Sequence, residues 1–289
     1  MKAVYLSSTV TLPGSPDRRS DAFEHDQMMD ALRPAFSAAG IDLIDLAWDD
    51  PSVDWSDYNA VIIGTAWDYW DRHDAFLTTL DKIAAKTLLC NPPDLVRWNS
   101  HKRYLKDMER RGAKLIPTLW VDEMTADAAR AAFDHFGSDD LVFKRQVSAG
   151  ADGQIRLKRG DPIPDMPHPM MVQPFLSAIL EEGEFSFIFI DGELSHALSK
   201  HAAAGDYRIQ STYGGFEKPL VPEAGDLERA KAMLATIPHA PLYARIDMLR
   251  SGGDLYLMEA ELIEPFLYPL QGPELGTRLA AGIRRRLGV

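Results

Sequence analysis

Acidic residues on two apolar stretches near the end of the chain have a spacing that favours a cation site. Glu259 and Glu261 lie two apart in a stretch of alternating polarity, so on a β-strand their carboxylates share one face. Asp247 lies on the preceding apolar stretch and can face them across a hairpin that turns at residues 251–254. Three carboxylates on one face repel one another, which favours a cation between them. Oxygen ligands suit Mg²⁺ or Mn²⁺, and Mg²⁺ held by a few carboxylates often also binds substrate phosphates.

Arg245 adds an anion-binding group to the same stretch. It precedes Asp247 by two positions, so it faces the same way and can contact an anion beside the metal. A solvated acidic sheet face is the alternative, and the hairpin alone leaves the two interpretations evenly balanced.

The bulk properties describe an acidic globular chain. Its 289 residues predict two or three small domains. A net charge of −12 argues against a broad nucleic-acid surface and against attraction to anionic membranes, although it allows a local basic pocket. Cys90 is the single cysteine, which fits a reducing compartment. No apolar run approaches the length of a membrane span or a signal peptide, so we expect a cytoplasmic protein.

The first 92 residues alternate strands with helices, which predicts a parallel α/β domain. The strands are expected at residues 2–7, 41–46, 58–63 and 87–90, and the helices at 21–39 and 72–85. Pro34 lies inside the first helix and should kink or split it.

An aromatic loop follows the third of these strands, and ligands of such sheets bind beyond the carboxyl ends of the strands. Asp68 is the residue of this loop that we expect to contact a substrate. Trp67 and Trp70 fit a loop anchored by buried tryptophans at least as well.

A lysine and a loop of small residues suggest a phosphate site in the middle of the chain. A strand at 141–145 carries Lys144, and residues 146–153 form the loop before a strand at 154–157. Backbone N–H groups in such a loop can approach a phosphate closely, and Lys144 can pair with its charge. The loop lacks the Walker A pattern, and most hairpin tips with glycine are only turns.

The later elements also follow from periodicity and turn residues. We expect helices at 101–111, 125–136, 225–237 and 273–286, and strands at 170–176, 185–190 and 193–199.

Taken in order, these features resemble the ATP-grasp carboxylate–amine ligases. The phrases that carry the resemblance are Val172-Gln-Pro-Phe-Leu, Gly183-Glu-Phe-Ser and Met258-Glu-Ala-Glu-Leu-Ile-Glu-Pro, within a match over about residues 60–270. The chain looks closest to the glutathione-synthetase-like branch, and within it is similar to cyclo-ligases of the cycloserine-biosynthesis type, which close O-ureido-serine.

The resemblance implies an ATP-grasp fold that combines α/β and α+β parts. Residues 1–92 would form an α/β domain on the substrate side. Residues 93–172 would form the central, smaller ATP-grasp subdomain with Lys144 and the loop, and residues 173–289 the C-terminal subdomain with the metal strands. ATP would lie between the last two.

The resemblance also implies how ATP would be held. Lys102 and Lys144 would contact its phosphates, and a loop with Ser148, Gly150 and Gly153 would close over them. The adenine would lie against Gln173, Pro174, Phe175 and Leu176. The ribose contact would be Glu184, with Glu181 as a second candidate.

For the chemistry, the resemblance implies that Asp247, Glu259 and Glu261 hold Mg²⁺. Arg208, Arg245 and Lys200 would face the reacting phosphoryl group. The chain departs from the family where relatives have Arg-Ser-Thr before a Trp-Asp-Tyr phrase and this chain has Gly64, Thr65 and Ala66. That departure puts the substrate in doubt and leaves the ATP site unaffected.

The implied reaction joins a small carboxylate substrate to an amine through an acyl phosphate. Ring closure within one molecule and joining of two molecules use the same ATP machinery, so both stay open. Related enzymes are often homodimers or homotetramers. Two other functions also stay open: a nucleotide-binding regulatory module without ligase activity, and a metal-dependent hydrolase that uses the acidic cluster alone.

Overall fold

The N-terminal residues form a parallel sheet with flanking helices, as the sequence predicts. The computed structural model describes residues 1–147, 153–209 and 213–289. Its first elements are β1 (Lys2–Ser7), α1 (Phe23–Ala38), β2 (Asp42–Ala47), β3 (Ala60–Ile63), α2 (His73–Ala84) and β4 (Leu88–Cys90). The strands lie in the order β2-β1-β3-β4, and every pairing is parallel. Short 3₁₀ turns occupy Trp55–Asp57 and Tyr69–Arg72.

Helix α1 is continuous across Pro34, so the expected split of this helix is not observed. Pro34 and Asp30 are both exposed, and water can therefore satisfy the Asp30 carbonyl that the proline leaves without a donor. The buried face of α1 carries Met28, Leu32 and Phe36.

Helices and a second sheet form the central part. Its elements are α3 (Pro93–Asn99), α4 (Tyr104–Arg110), β5 (Leu119–Val121), α5 (Ala126–Phe136), β6 (Asp140–Arg145), β7 (Ile155–Lys158), β8 (Met170–Pro174) and α6 (Ala178–Glu181). The sheet is antiparallel in the order β5-β8-β6-β7. The sequence did not lead us to α3, although Pro93 in its first turn and Asp94 beside it are ordinary signals of a helix start.

The C-terminal part carries the largest sheet. Its elements are β9 (Glu184–Ile190), β10 (Glu193–His201), β11 (Phe216–Leu220), α7 (Ala224–Leu234), β12 (Tyr243–Ser251), β13 (Asp254–Glu261) and α8 (Leu275–Leu287). The strands are antiparallel in the order β11-β10-β9-β12-β13, and β9 is buried along its whole length.

Side chains of the N-terminal and C-terminal parts share one apolar core. Tyr5 on β1, Tyr243 on β12 and Leu279 on α8 belong to it. Helix α8 approaches α1 so closely that a Cβ on Gly276 would lie 2.7 Å from the Ala35 Cβ. The first and third sheets are thereby held in a fixed relation, which defines the cavity described below.

The predicted division into three units stays a prediction. Its boundary between residues 172 and 173 falls inside β8, so that strand would contribute to both ATP-grasp subdomains. Within the described ranges, no helix combines the length and hydrophobicity needed to cross a bilayer.

Candidate active site

A cavity of about 470 Å³ lies against the face of β12 and β13. The charged residues that the sequence analysis singled out converge on it. Its wall includes Lys102, Lys144, Glu184, Lys200, Arg208, Arg245, Asp247, Glu259 and Glu261. The structure therefore brings together residues from β6, β9, β10, β12, β13 and the loop between α3 and α4.

The hairpin of β12 and β13 sets the register of the acidic wall as the two-residue period predicts. Asp247 pairs with Glu259, and Arg245 pairs with Glu261. The register shifts just after Asp247, where Met248 pairs with Leu257, which marks a β-bulge at the site. The bulge is a feature that polarity alternation did not reveal.

Lysine and arginine side chains neutralise much of this wall. The Arg245 guanidinium donates to Asp247 at 3.0 Å and also contacts Glu261. The Lys200 Nζ atom lies 2.5 Å from Glu184 and 3.2 Å from Asp247, and the pair with Glu184 is almost fully buried.

Lys102 supplies a further pair, because its Nζ atom lies 2.6 Å from Glu259. This contact connects the start of α4 to the acidic wall.

The pKa values of the carboxylates show that the cations stabilise some of them in the ionised form more than others. Burial opposes ionisation of Asp247, but Arg245 and Lys200 outweigh it and hold the pKa of Asp247 below its usual range. Burial and the neighbouring Asp247 and Glu259 raise the pKa of Glu261 to about 7, although Arg245 opposes the shift. Burial and Glu261 raise the pKa of Glu264 to about 8. Glu261 and Glu264 therefore hold protons near neutral pH unless a further cation lowers their pKa values.

A divalent cation at this wall would favour the ionised form of these carboxyl groups. Asp247, Glu259 and Glu261 are hard oxygen donors of the type that Mg²⁺ prefers. Across the described ranges, no three His, Cys, Asp or Glu side chains already surround a common point as metal ligands. Lys102 and Arg245 contact these carboxylates instead, and the role of the three residues as ligands stays a prediction.

A smaller cleft of about 30 Å³ adjoins the cavity. Its lining includes the predicted adenine residues Gln173, Pro174, Phe175 and Leu176, together with Ile116 and Val142. Lys144 and Met258 line both spaces. The Phe175 N–H donates to the Asp140 carbonyl at 2.9 Å, so that N–H is already used within the protein.

The predicted phosphate loop is described only at its end. Ser148 and Gly150 lie outside the described residues. Gly153 has φ 65°, a left-handed conformation that favours glycine, and its Cα faces the Arg145 side chain. Gly153 does not line either space.

Asp68 and Glu181, like Gly153, lie outside the lining of both spaces. Asp68 accepts hydrogen bonds from Ser8 at 2.5 Å, Trp48 at 2.7 Å and Arg72 at 2.5 Å, so its carboxylate anchors the loop. Trp67 and Trp70 of the same loop line the cavity. Glu181 is exposed on α6 and lines neither space, whereas Glu184 lines the cavity. Sequence position alone did not show the direction of either side chain.

Arg208 lines the cavity, but its guanidinium is engaged locally. It lies 2.7 Å from the Asp206 carboxylate, and Arg208 lowers the pKa of Asp206. The Arg208 guanidinium also lies 3.7 Å from the centre of the Tyr213 ring.

The residues after β13 are the part of the site that the sequence analysis missed. Glu264, Phe266 and Tyr268 line the cavity together with Trp67 and Tyr69 from the N-terminal part. Tyr268 has φ 49°, which is unusual for a residue with a side chain and is often found at functional sites. The proline at 265 was the available signal that the strand ends and the chain changes direction.

Comparison with known proteins shows which proteins this chain is similar to. Residues 7–91 match the family model described as the N-terminal domain of D-cycloserine synthetase DcsG. The chain is 28% identical over 285 residues to the cycloserine biosynthesis protein DcsG of Streptomyces lavendulae, across 91% of this chain and 94% of that protein. Its fold matches the crystal structure of D-cycloserine synthetase DcsG with a TM-score of 0.84 and 24% identity, over 99% and 100% of the two chains.

The chain is a DcsG-like ATP-grasp protein. This similarity and the ATP-grasp fold confirm the fold class and the resemblance inferred from sequence.

More distant relatives of this DcsG-like protein agree with that assignment. The ATP-grasp ligase PsnB, in a structure with a precursor variant, Mg and ADP, matches with a TM-score of 0.67 and 14% identity over 99% and 98% of the chains. Glutathione synthetase of Prochlorococcus marinus is 26% identical over 170 residues, which cover 55% of this chain and 52% of that protein.

Proposed function

We propose that this protein is an ATP-dependent carboxylate–amine ligase that acts on a small amino-acid-like substrate through an acyl phosphate. The cavity supports the proposal because it combines several cations with an acidic wall and adjoins a cleft lined largely by apolar side chains. A nucleotide has the matching parts: an aromatic base for the apolar side chains and phosphates for the cations.

Lys144 is the observation that carries the proposal. It lines both the cavity and the cleft, and no described residue forms an ion pair with it. Burial lowers the pKa of Lys144, although Glu259 opposes the shift. A partly buried ammonium group without a counter-ion is unfavourable, and a bound phosphate would supply that counter-ion.

The reaction would proceed in two balanced steps. The substrate carboxylate attacks the γ-phosphorus of ATP, ADP leaves, and an acyl phosphate forms. The amine then attacks the acyl carbon, inorganic phosphate leaves, and the nitrogen loses a proton as the amide-type bond forms. This chemistry needs positioning and charge neutralisation more than a covalent nucleophile.

The cations of the cavity suit these steps. Arg245 and Lys200 lie beside Asp247, where they would offset charge on the transferred phosphoryl group. Arg208 is the third candidate for that role. Lys102 would join Lys144 at the phosphates.

The remaining roles are proposed from the same geometry and from the resemblance. Mg²⁺ would bind Asp247, Glu259 and Glu261 and neutralise phosphate charge. The adenine would lie against Gln173, Pro174, Phe175 and Leu176. Glu184 would contact the ribose, and the loop with Ser148, Gly150 and Gly153 would cover the phosphates.

The similarity to DcsG supports an amino-acid-like substrate. Ring closure within one substrate molecule should therefore be tested as well as the joining of two substrate molecules. A homodimer or homotetramer stays a prediction.

Measurement of ADP release tests the proposal. We expect Lys144→Ala to reduce ADP release, with Mg²⁺-ATP and small amino acids as substrates, by about 100-fold or more, because a cation at the transferring phosphates is lost. Lys158→Ala is the matched control, since Lys158 is an exposed lysine on the adjacent strand β7 and should leave the rate unchanged.

Other results would favour the other functions. Normal ADP release by Lys144→Ala would contradict the assigned site. Nucleotide binding without ADP release from any substrate tested would favour a binding module, and metal-dependent hydrolysis without ATP would favour a hydrolase.

A further inference from the structure

Glu264 is a cavity carboxylate that the proposed steps do not use. It follows β13 by three residues and lines the cavity beside Trp67 and Tyr69. It does not line the smaller cleft, so it lies away from the proposed adenine position.

The backbone around Glu264 is held by side chains from two distant parts of the chain. The Trp67 Nε1 atom donates to the Glu264 carbonyl at 3.0 Å. The Tyr243 hydroxyl lies 2.8 Å from the Ile263 carbonyl, and the Arg245 Nη1 atom donates to the Phe266 carbonyl at 3.0 Å. Such a fixed backbone places the Glu264 carboxylate in a defined position on the wall.

The charge on Glu264 is offset less well than the charge on its neighbours. Asp247, Glu259 and Glu261 each form an ion pair with lysine or arginine. Over the described part of the chain, no lysine or arginine pairs with Glu264. Burial therefore raises the pKa of Glu264 to about 8, with Glu261 adding to the shift.

The groups around Glu264 provide only partial compensation. Burial and the nearby Glu264 carboxylate raise the pKa of Tyr69, but a neutral hydroxyl does not balance the charge of Glu264. Arg19 also lines the cavity, yet it is bound by both oxygens of Asp21 at 2.8 Å and 2.6 Å.

We infer that Glu264 and Tyr69 bind an ammonium group of the substrate, so that the enzyme selects an amino acid over a carboxylic acid without an amine. A carboxylate among aromatic rings suits a primary ammonium, because the carboxylate supplies the counter-charge and the rings supply cation–π attraction. Trp67 and Phe266 complete this environment on the cavity wall. The inference deepens the proposed ligase function and rests on it.

Binding measurements without turnover test the inference. With a saturating non-hydrolysable ATP analogue and Mg²⁺, the shift of the melting temperature is titrated with both enantiomers of alanine, serine and 2,3-diaminopropionate. Lactate and glycerate are the matched acids that carry a hydroxyl in place of the amine. The proteins are the wild type, Glu264→Gln and the control Glu193→Gln, which removes an exposed carboxylate on β10.

We expect at least one amino acid to bind the wild type and Glu193→Gln equally, and Glu264→Gln about 10- to 100-fold more weakly, as befits the loss of a charged hydrogen-bond partner. The hydroxy acids should bind all three proteins alike. If Glu264→Gln does not fold, Tyr69→Phe decides the question, with an expected loss of about 2- to 10-fold for amino acids alone.

Equal affinity of the wild type and Glu264→Gln for amino acids would overturn the inference. So would a wild type that binds the nucleotide analogue but none of the amino acids. A wild type that does not respond to the nucleotide analogue would instead contradict the proposed ligase function, on which the inference depends.

Discussion

At the scale of single residues, two side chains of opposite charge characterise the cavity. Neither Lys144 nor Glu264 has an ion-pair partner among the described residues, so the cavity complements a ligand set with an anion and a cation. Lys144 could be predicted because it lies on a strand next to a loop of small residues. Glu264 could not, because it follows the end of β13, where a two-residue period no longer fixes side-chain direction.

Asp68 was predicted to contact a substrate, but its carboxylate has a structural role in the loop. We expect Asp68→Ala to lower the free energy of unfolding by about 2–3 kcal/mol, because it leaves the buried Trp48 indole N–H and Ser8 hydroxyl without their acceptor. Urea unfolding measures this loss. The stabilisation of the variant by Mg²⁺-nucleotide should remain.

The neighbouring Asp71→Ala is the control, since Asp71 is exposed and its loss should change stability by no more than about 0.5 kcal/mol. Unchanged stability of Asp68→Ala together with lost turnover would return Asp68 to the substrate site.

At the scale of elements, regular segments were predictable and irregular ones were not. The hairpin of β12 and β13, with Asp247 opposite Glu259, follows from alternation alone. Helix α3 is absent from the predicted elements because prolines at the start of a segment also fit a loop between two units.

Residues 262–268 depend on contacts that no local pattern encodes. Asn99 receives the Leu262 N–H at 3.0 Å, and His196 lies 3.0 Å from the Leu267 carbonyl. Side chains from distant elements therefore place this segment, and with it the part of the site that sequence missed.

The tether through His196 predicts a pH dependence. Burial lowers the pKa of His196 to about 4, although the hydrogen bond between its ring and the Leu267 carbonyl opposes the shift. In the unfolded chain this histidine binds a proton near its ordinary pKa of about 6.5. The contribution of His196 to the stability of the folded protein is therefore present above that pH and is lost as the pH falls toward 4. Between pH 7 and pH 5 the loss should be about 2 kcal/mol.

Urea unfolding of the wild type and His196→Gln at both pH values measures this contribution. The pH-dependent loss should be smaller by about 2 kcal/mol in His196→Gln, because glutamine does not titrate. The exposed His239→Gln should retain the wild-type loss. An identical pH dependence in His196→Gln would show that the tether does not have this role.

At the scale of the whole molecule, the three sheets converge on one cavity in a strongly acidic protein. The net charge of −12 does not prevent this cavity from binding an anion, because positive charge is concentrated there by Lys102, Lys144, Lys200 and Arg245. The family resemblance carried the prediction of the ATP-grasp fold, whereas the volume of the cavity and the composition of its substrate side required the structure. The resemblance and the structure both support the central proposal, that Lys144 marks a nucleotide site.

A thermal melt with and without Mg²⁺-ATP tests that claim most directly. Binding to the native state raises the melting temperature, and nucleotide at 100 times its Kd would add about 2.7 kcal/mol of stability. We expect a Mg²⁺-dependent rise in the wild type and in Lys158→Ala that is lost in Lys144→Ala. No rise at millimolar nucleotide, or the same rise in Lys144→Ala, would contradict the nucleotide site.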